Sequence, residues 1–288
     1  MRKSVCLCAG LIIALAFARQ SPAAAIVFEE GIEYANPDNQ HLKLNLAEPK
    51  EQGAALRPAV VCIHGGGFRA GDRHGYDGMC RTLAEHGYVA VTVEYRLSPK
   101  YQFPAAIEDV KTAVRWMREN AAKYHIDPNR IASLGGSAGG HLAQFLGVTG
   151  DVHRFDGTQY PRQSSKVQCV INYYGPEDFT KSYGKSVDAA EVLPMWLGGD
   201  LEHARAKHIL ASPINWVTPD AAPTLLLHGT QDKYVNYEQA TWMYDRMKSM
   251  GLDVELLTLK GAGHGFGGEY ARQADKAAIE FLDKHLKN

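Results

Sequence analysis

Residues 131–148 read Ile131-Ala132-Ser133-Leu134-Gly135-Gly136-Ser137-Ala138-Gly139-Gly140-His141-Leu142-Ala143-Gln144-Phe145-Leu146-Gly147-Val148. The apolar run 131–134 predicts a short buried strand, and residues 138–148 predict a helix. Between them, Gly135-Gly136-Ser137-Ala138-Gly139 matches G-x-S-x-G. A strand, a sharp turn and a helix around that motif are what a nucleophile elbow requires. The turn holds the serine strained and exposed, and small neighbours let strand and helix pass closely. The helix start also brings backbone N–H groups beside the serine oxygen.

Working outward, continuous apolar runs recur at 59–63, 89–93, 167–173, 224–227 and 254–259. Such runs suit strands covered on both faces, as in a parallel sheet. Helical patterns fall between them. Pro104 opens one, with Ile107, Val110, Val114 and Met117 at helical spacing, and 237–250 and 270–286 are others. The alternation predicts one α/β domain over residues 26–288, with a mostly parallel central sheet flanked by helices. Alternating stretches in 26–46 predict antiparallel edge strands. Two segments break the rhythm: the polar stretch 150–165, and residues 176–216, which carry Met195, Trp196 and Leu197. The second is expected to be a small cap-like insertion near the reacting serine.

The composition, 45% hydrophobic and 22% charged over 288 residues, is that of a globular protein and excludes a disordered chain. The first 25 residues read as a secretory signal peptide. Arg2 and Lys3 precede a short apolar stretch, and Ala23-Ala24-Ala25 offers a cleavage site. An uncleaved N-terminal anchor is the alternative, although the apolar run is shorter than the ~20 residues of a membrane span. Export to the periplasm or the medium is expected, with no membrane attachment after cleavage. Without Arg2, Lys3 and Arg19, 28 basic residues face 32 acidic ones. A mildly acidic body is a poor nucleic-acid binder. Cys62, Cys80 and Cys169 remain, too few for a disulfide framework. Buried thiols are expected, with room for one bridge.

Three further groups carry chemistry. His64-Gly65-Gly66-Gly67-Phe68 follows the strand 59–63. Its glycines let backbone N–H groups approach a developing oxyanion. His264, in Gly263-His264-Gly265 past the last strand, is the expected base, whereas His64 is expected to brace its loop. Asp232 leaves the strand 224–227 and is the expected orienting acid, with Glu177 and Asp178 as reserves. The chain order Ser137, Asp232, His264 is that of the α/β-hydrolase triad. Gly65-x-Gly67-x-x-Ala70 also fits a dinucleotide fingerprint, but Gly71-Asp72-Arg73-His74-Gly75 follows where a helix should open. No His-x-x-x-His pair with a glutamate appears, so neither a metal nor another cofactor is expected.

On these motifs, together with 94–99 (Glu-Tyr-Arg-Leu-Ser-Pro), 103–106 (Phe-Pro-Ala-Ala), Asp127-Pro128 and Arg130, the chain resembles α/β-hydrolases of the hormone-sensitive-lipase-like esterase group. It is more similar still to secreted bacterial carbohydrate esterases of the acetyl-xylan and feruloyl type. The resemblance implies Ser137, Asp232 and His264 as the triad, and Gly66, Gly67 and Ala138 as backbone oxyanion donors. It implies hydrolysis of small or carbohydrate-linked esters by a serine carboxylesterase. The chain departs from the lipase-like group in having only about 32 residues before the first core strand, too few for a helical N-terminal cap. Phe68, Tyr174, Trp196, Tyr234 and Phe266 are expected to line the pocket, and their bulk points to short acyl groups or an aromatic acid. Two other readings stand beside this one: a serine peptidase of the prolyl-oligopeptidase kind, and a hydrolase-fold protein that binds without catalysis.

Overall fold

The computed structural model describes residues 25–287 apart from Gln52 and Ala54. The expected signal peptide, save Ala25, lies outside the described residues. Eight strands among the described residues form one sheet: β1 (Ile26–Ala35), β2 (Leu42–Pro49), β3 (Arg57–Ile63), β4 (Val89–Val93), β5 (Ile126–Gly136), β6 (Val170–Tyr173), β7 (Thr224–Gly229) and β8 (Val254–Leu259). Their order is β1-β2-β4-β3-β5-β6-β7-β8. Strands β3 to β8 are parallel, while β1 and β2 form the antiparallel edge. This mostly parallel sheet with helices on both faces is the α/β-hydrolase arrangement.

The helices are α1 (Asp77–Glu85), α2 (Ala105–Glu119), α3 (Ala138–Val148), α4 (Val187–Glu191), α5 (Leu193–Leu197), α6 (Arg205–Ala211), α7 (Glu238–Ser249) and α8 (Gly268–Leu286). Alternation along the strands divides the core. In β3, Ala59, Val61 and Ile63 face α2 and α3, meeting Ile107, Val110, Leu142 and Phe145. Val60 and Cys62 face the opposite side, with Leu83 of α1 and Phe281 and Leu282 of α8. Leu226 of β7 and Val254 of β8 meet Met243 and Met247 of α7. Both faces of the central strands are therefore dry, which is why these strands read as unbroken apolar runs. Cys62, Cys80 and Cys169 are buried free thiols.

The sheet topology brings four loops to one edge. Parallel strands β3, β5, β7 and β8 end on the same side, and the loops following them carry His64–Phe68, Ser137, Asp232 and His264 respectively. That is where open α/β sheets place their sites. The insertion 176–216 holds α4, α5 and α6 between β6 and β7. No described helix is long and apolar enough to cross a membrane.

Candidate active site

Ser137 occupies the single residue between β5 and α3, at φ 57° and ψ −123°. A non-glycine residue there costs ~1–3 kcal/mol and persists only where the surroundings over-determine it. Here the Ser137 N–H donates to Tyr173 O at 2.9 Å, and Ser137 O accepts from His141 N–H at 3.0 Å. Gly139 sets how closely α3 can approach β3, because a Cβ there would collide with the carbonyl oxygens of Ile63 and His64.

Ser137 Oγ lies 2.9 Å from His264 Nε2, and His264 Nδ1 lies 2.8 Å from Asp232 Oδ2. An ionised carboxylate only accepts hydrogen bonds, so Nδ1 carries the proton and Nε2 faces the serine hydroxyl as an acceptor. The Asp232 side chain is 0% exposed. Its Oδ1 accepts from Tyr234 N–H and Val235 N–H, both at 2.9 Å, and His228 Nε2 lies 3.3 Å from Oδ2. Burial works to raise the Asp232 carboxyl, but the hydrogen bonds from His228 and His264 prevail and hold it at about 2. The aspartate stays charged beneath an imidazole that is 24% exposed at the cleft. Glu177 and Asp178, the reserve acids, bond elsewhere: Glu177 to Asn172, and Asp178 to the Thr180 N–H.

Across from His264, the loop after β3 turns tightly at Gly66, whose carbonyl accepts from Arg69 N–H and Ala70 N–H at 3.2 and 3.0 Å. Gly66 has φ 109°, and a Cβ there would collide with Ala70 O. Among the described residues no backbone carbonyl takes the N–H of Gly66 or Gly67, and both residues line the cleft with Ser137. Ala138 opens α3, where the N–H groups of the first turn have no partner within the helix. His64 braces the loop. Its Nδ1 lies 2.7 Å from Gly65 O, its ring stacks on Tyr95 at 4.3 Å, and Tyr95 Oη donates to His64 O at 2.9 Å. Burial lowers the His64 pKa, which keeps that imidazole neutral.

These elements enclose a cleft of about 570 Å³. Tyr174 and Tyr234 line it as expected, their rings 4.8 and 5.0 Å from that of His264. Burial is the main influence that pushes the Tyr174 phenol up to about 12. Three of the expected lining residues need correction. Phe68 and Trp196, 2% and 0% exposed, belong to the core, where they stack on each other. Phe266 stands behind Tyr174, edge-on at 4.7 Å, and is not a cleft wall. Tyr76 and Arg69 line the cleft without having been anticipated. Tyr76 Oη lies 2.7 Å from where a Cβ on Gly136 would sit, and no residue spacing signals that approach. His228 had a readable signal, four residues before Asp232 at the end of a strand.

Residues 44–247, well over half of the chain, match the BD-FAE family profile. The chain belongs to the BD-FAE family. Relatives of this BD-FAE chain include Esterase LipC of Mycobacterium tuberculosis, 33% identical over 77% of this chain and 56% of the relative. Another is the ethyl acetate hydrolase of Pseudomonas putida, 28% identical over 86% of this chain and 80% of the relative. The BD-FAE chain spans about half the length of the first three curated relatives it matches. A solved structure described as a truncated carbohydrate esterase from gut microbiota superposes with a TM-score of 0.81 at 28% identity, covering 92% of this chain and 98% of that one. Esterase 2 of Thermogutta terrifontis with propionate bound gives 0.75 at 29% identity, covering 91% and 94%.

Proposed function

We propose that the chain is a serine carboxylesterase acting on short-chain acyl or aromatic-acid esters, with acetyl or feruloyl groups on plant polysaccharide as its substrates. The observation that carries this reading is the hydrogen-bonded line Ser137–His264–Asp232 at a cleft that Gly66 and Gly67 also line; with Ala138, next to the serine, their backbone N–H groups are the three proposed oxyanion donors. In the proposed reaction His264 Nε2 takes the Ser137 proton as Oγ attacks the ester carbonyl. Asp232 stabilises the imidazolium, and the three N–H groups stabilise the tetrahedral oxyanion. His264 then gives its proton to the leaving alcohol, and water releases the acid from the acyl-enzyme by the same steps.

The cleft lining supports the substrate class. Beside Ser137, His264 and Arg69 it is built of glycines, three tyrosines and Ala70, so among the described residues no aliphatic wall receives a long alkyl chain. Tyrosines offer ring faces and hydroxyls instead, which suits acetyl groups, aromatic acids and sugars. The relatives point the same way, one being an ethyl acetate hydrolase and one solved structure a carbohydrate esterase. The basic and apolar leader favours action in the periplasm or the medium.

A hydrolysis panel tests the proposal: acetyl, butyryl, long-acyl and feruloyl esters, acetylated xylan, and aminoacyl nitroanilides. Turnover should be highest on the acetyl or feruloyl members and absent on the nitroanilides, and a folded Ser137→Ala variant should be inert. A maximum on long acyl chains contradicts the substrate class, and strong nitroanilide cleavage favours a peptidase.

A further inference from the structure

One short stretch of the insertion, residues 186–196, touches both halves of the candidate site. At its start, Asn236 N–H donates to Ser186 Oγ at 3.0 Å and Val187 N–H to Lys233 O at 3.3 Å, on the loop that carries Asp232. Further along it meets the oxyanion loop at three consecutive residues. Val192 packs on Gly67, where an added Cβ would meet Val192 Cγ2 at 3.0 Å. Trp196 stacks on Phe68, with ring centroids 3.7 Å and planes 4° apart. Arg69 Nη1 donates to Glu191 O at 3.2 Å.

Phe68 is the strained member of that loop, at φ 57°. A left-handed non-glycine residue needs its surroundings to hold it. Phe68 O accepts from Ser98 N–H at 2.8 Å and Ser98 Oγ at 3.1 Å, and its ring is held by Trp196. Trp196 Nε1–H is buried with no hydrogen-bond partner among the described residues. The fold therefore uses the flat face of this side chain and tolerates an orphaned donor to have it.

We propose that Trp196 is a positioning residue for the oxyanion hole: its stack on Phe68, with Val192 as the second contact, fixes the N–H groups of Gly66 and Gly67 where the negative charge develops. The proposal rests on the esterase reading above. Trp196 is not among the cleft-lining residues, so its removal acts on the transition state and not on substrate capture.

Trp196→Ala should lower kcat on p-nitrophenyl acetate by roughly 10- to 100-fold, since an ångström of misplacement costs about 10²-fold, while KM changes by less than about threefold. Trp196→Phe, which keeps a stacking ring and removes the orphaned N–H, should restore kcat to within about threefold of wild type. A folded Trp196→Ala enzyme with wild-type kcat, or with KM raised and kcat unchanged, overturns the proposal. Should Trp196→Ala fail to fold, Val192→Ala decides: a several-fold fall in kcat supports the clamp, and an unchanged kcat refutes it. A wild-type chain inert toward every ester, by contrast, removes the esterase reading and the clamp with it.

Discussion

At the scale of single residues, the site depends on a carboxylate that stays charged while wholly buried. Asp232 lies against two imidazoles, His264 at 2.8 Å and His228 at 3.3 Å, and accepts from two backbone N–H groups. Asp232→Asn should fold normally and lose about 10³- to 10⁴-fold in kcat, because the amide no longer fixes the His264 tautomer; circular dichroism with steady-state kinetics checks both halves. Its folded value of about 2 lies below the ~3.9 of an unfolded aspartate, so its stabilising contribution is whole above about pH 4 and drains away as pH falls through about 2. The acid limb of a pH–rate profile should accordingly lie well above pH 2 and report a group other than Asp232. Ser137, Asp232 and His264 were legible because each sits in a short motif at a strand end. Phe68 and Trp196 were misread because an aromatic beside a glycine loop has the same spelling whether it faces cleft or core. At Phe68 a left-handed backbone accompanies a ring packed on Trp196 in the core, and a single sequence does not announce that angle.

At the scale of elements, the turn at Ser137 packs a helix start, a strand end and the loop after β3 into very little space. Gly139→Ala places a methyl group against the backbone of Ile63 and His64, atoms that cannot swing aside. It should cost at least the ~1–3 kcal/mol typical of overpacking, visible as a lowered Tm. Glu177, beyond β6, gives a second prediction. Burial raises its pKa well above the ordinary value, against a single opposing hydrogen bond from Asn172, and Oε2 has no partner among the described residues. A raised folded pKa means its contribution is whole below the unfolded value near ~4.3 and is lost as pH climbs through the folded one. Glu177→Gln, which cannot ionise, should therefore lose less stability than wild type as pH rises above the ordinary carboxylate range in denaturant titrations. Strands buried on both faces were the easiest elements to read. Helix α1 was missed because it is short, carries Gly78 in its first turn and buries only Cys80, Leu83 and Ala84, too few apolar positions to stand out.

For the molecule as a whole, strand–helix alternation over more than 200 residues made the parallel sheet legible, and the sheet's topology then brought four remote loops to one edge. The insertion was visible only as a break in the rhythm. Its short helices are held by contacts with distant loops, as Trp196 is by Phe68, and not by periodicity of their own. The proposed site depends on a global convergence: residues 127 positions apart, Ser137 and His264, meet at 2.9 Å, the contact that activation of the serine would require. A fluorophosphonate probe reads this directly, since it bonds covalently only to an activated serine. Incubation of the full chain followed by peptide mass mapping should place one adduct on Ser137, and folded His264→Ala should show none on the same timescale. An adduct on a different serine, or labelling of Ser137 that is as fast without the imidazole, would contradict the account.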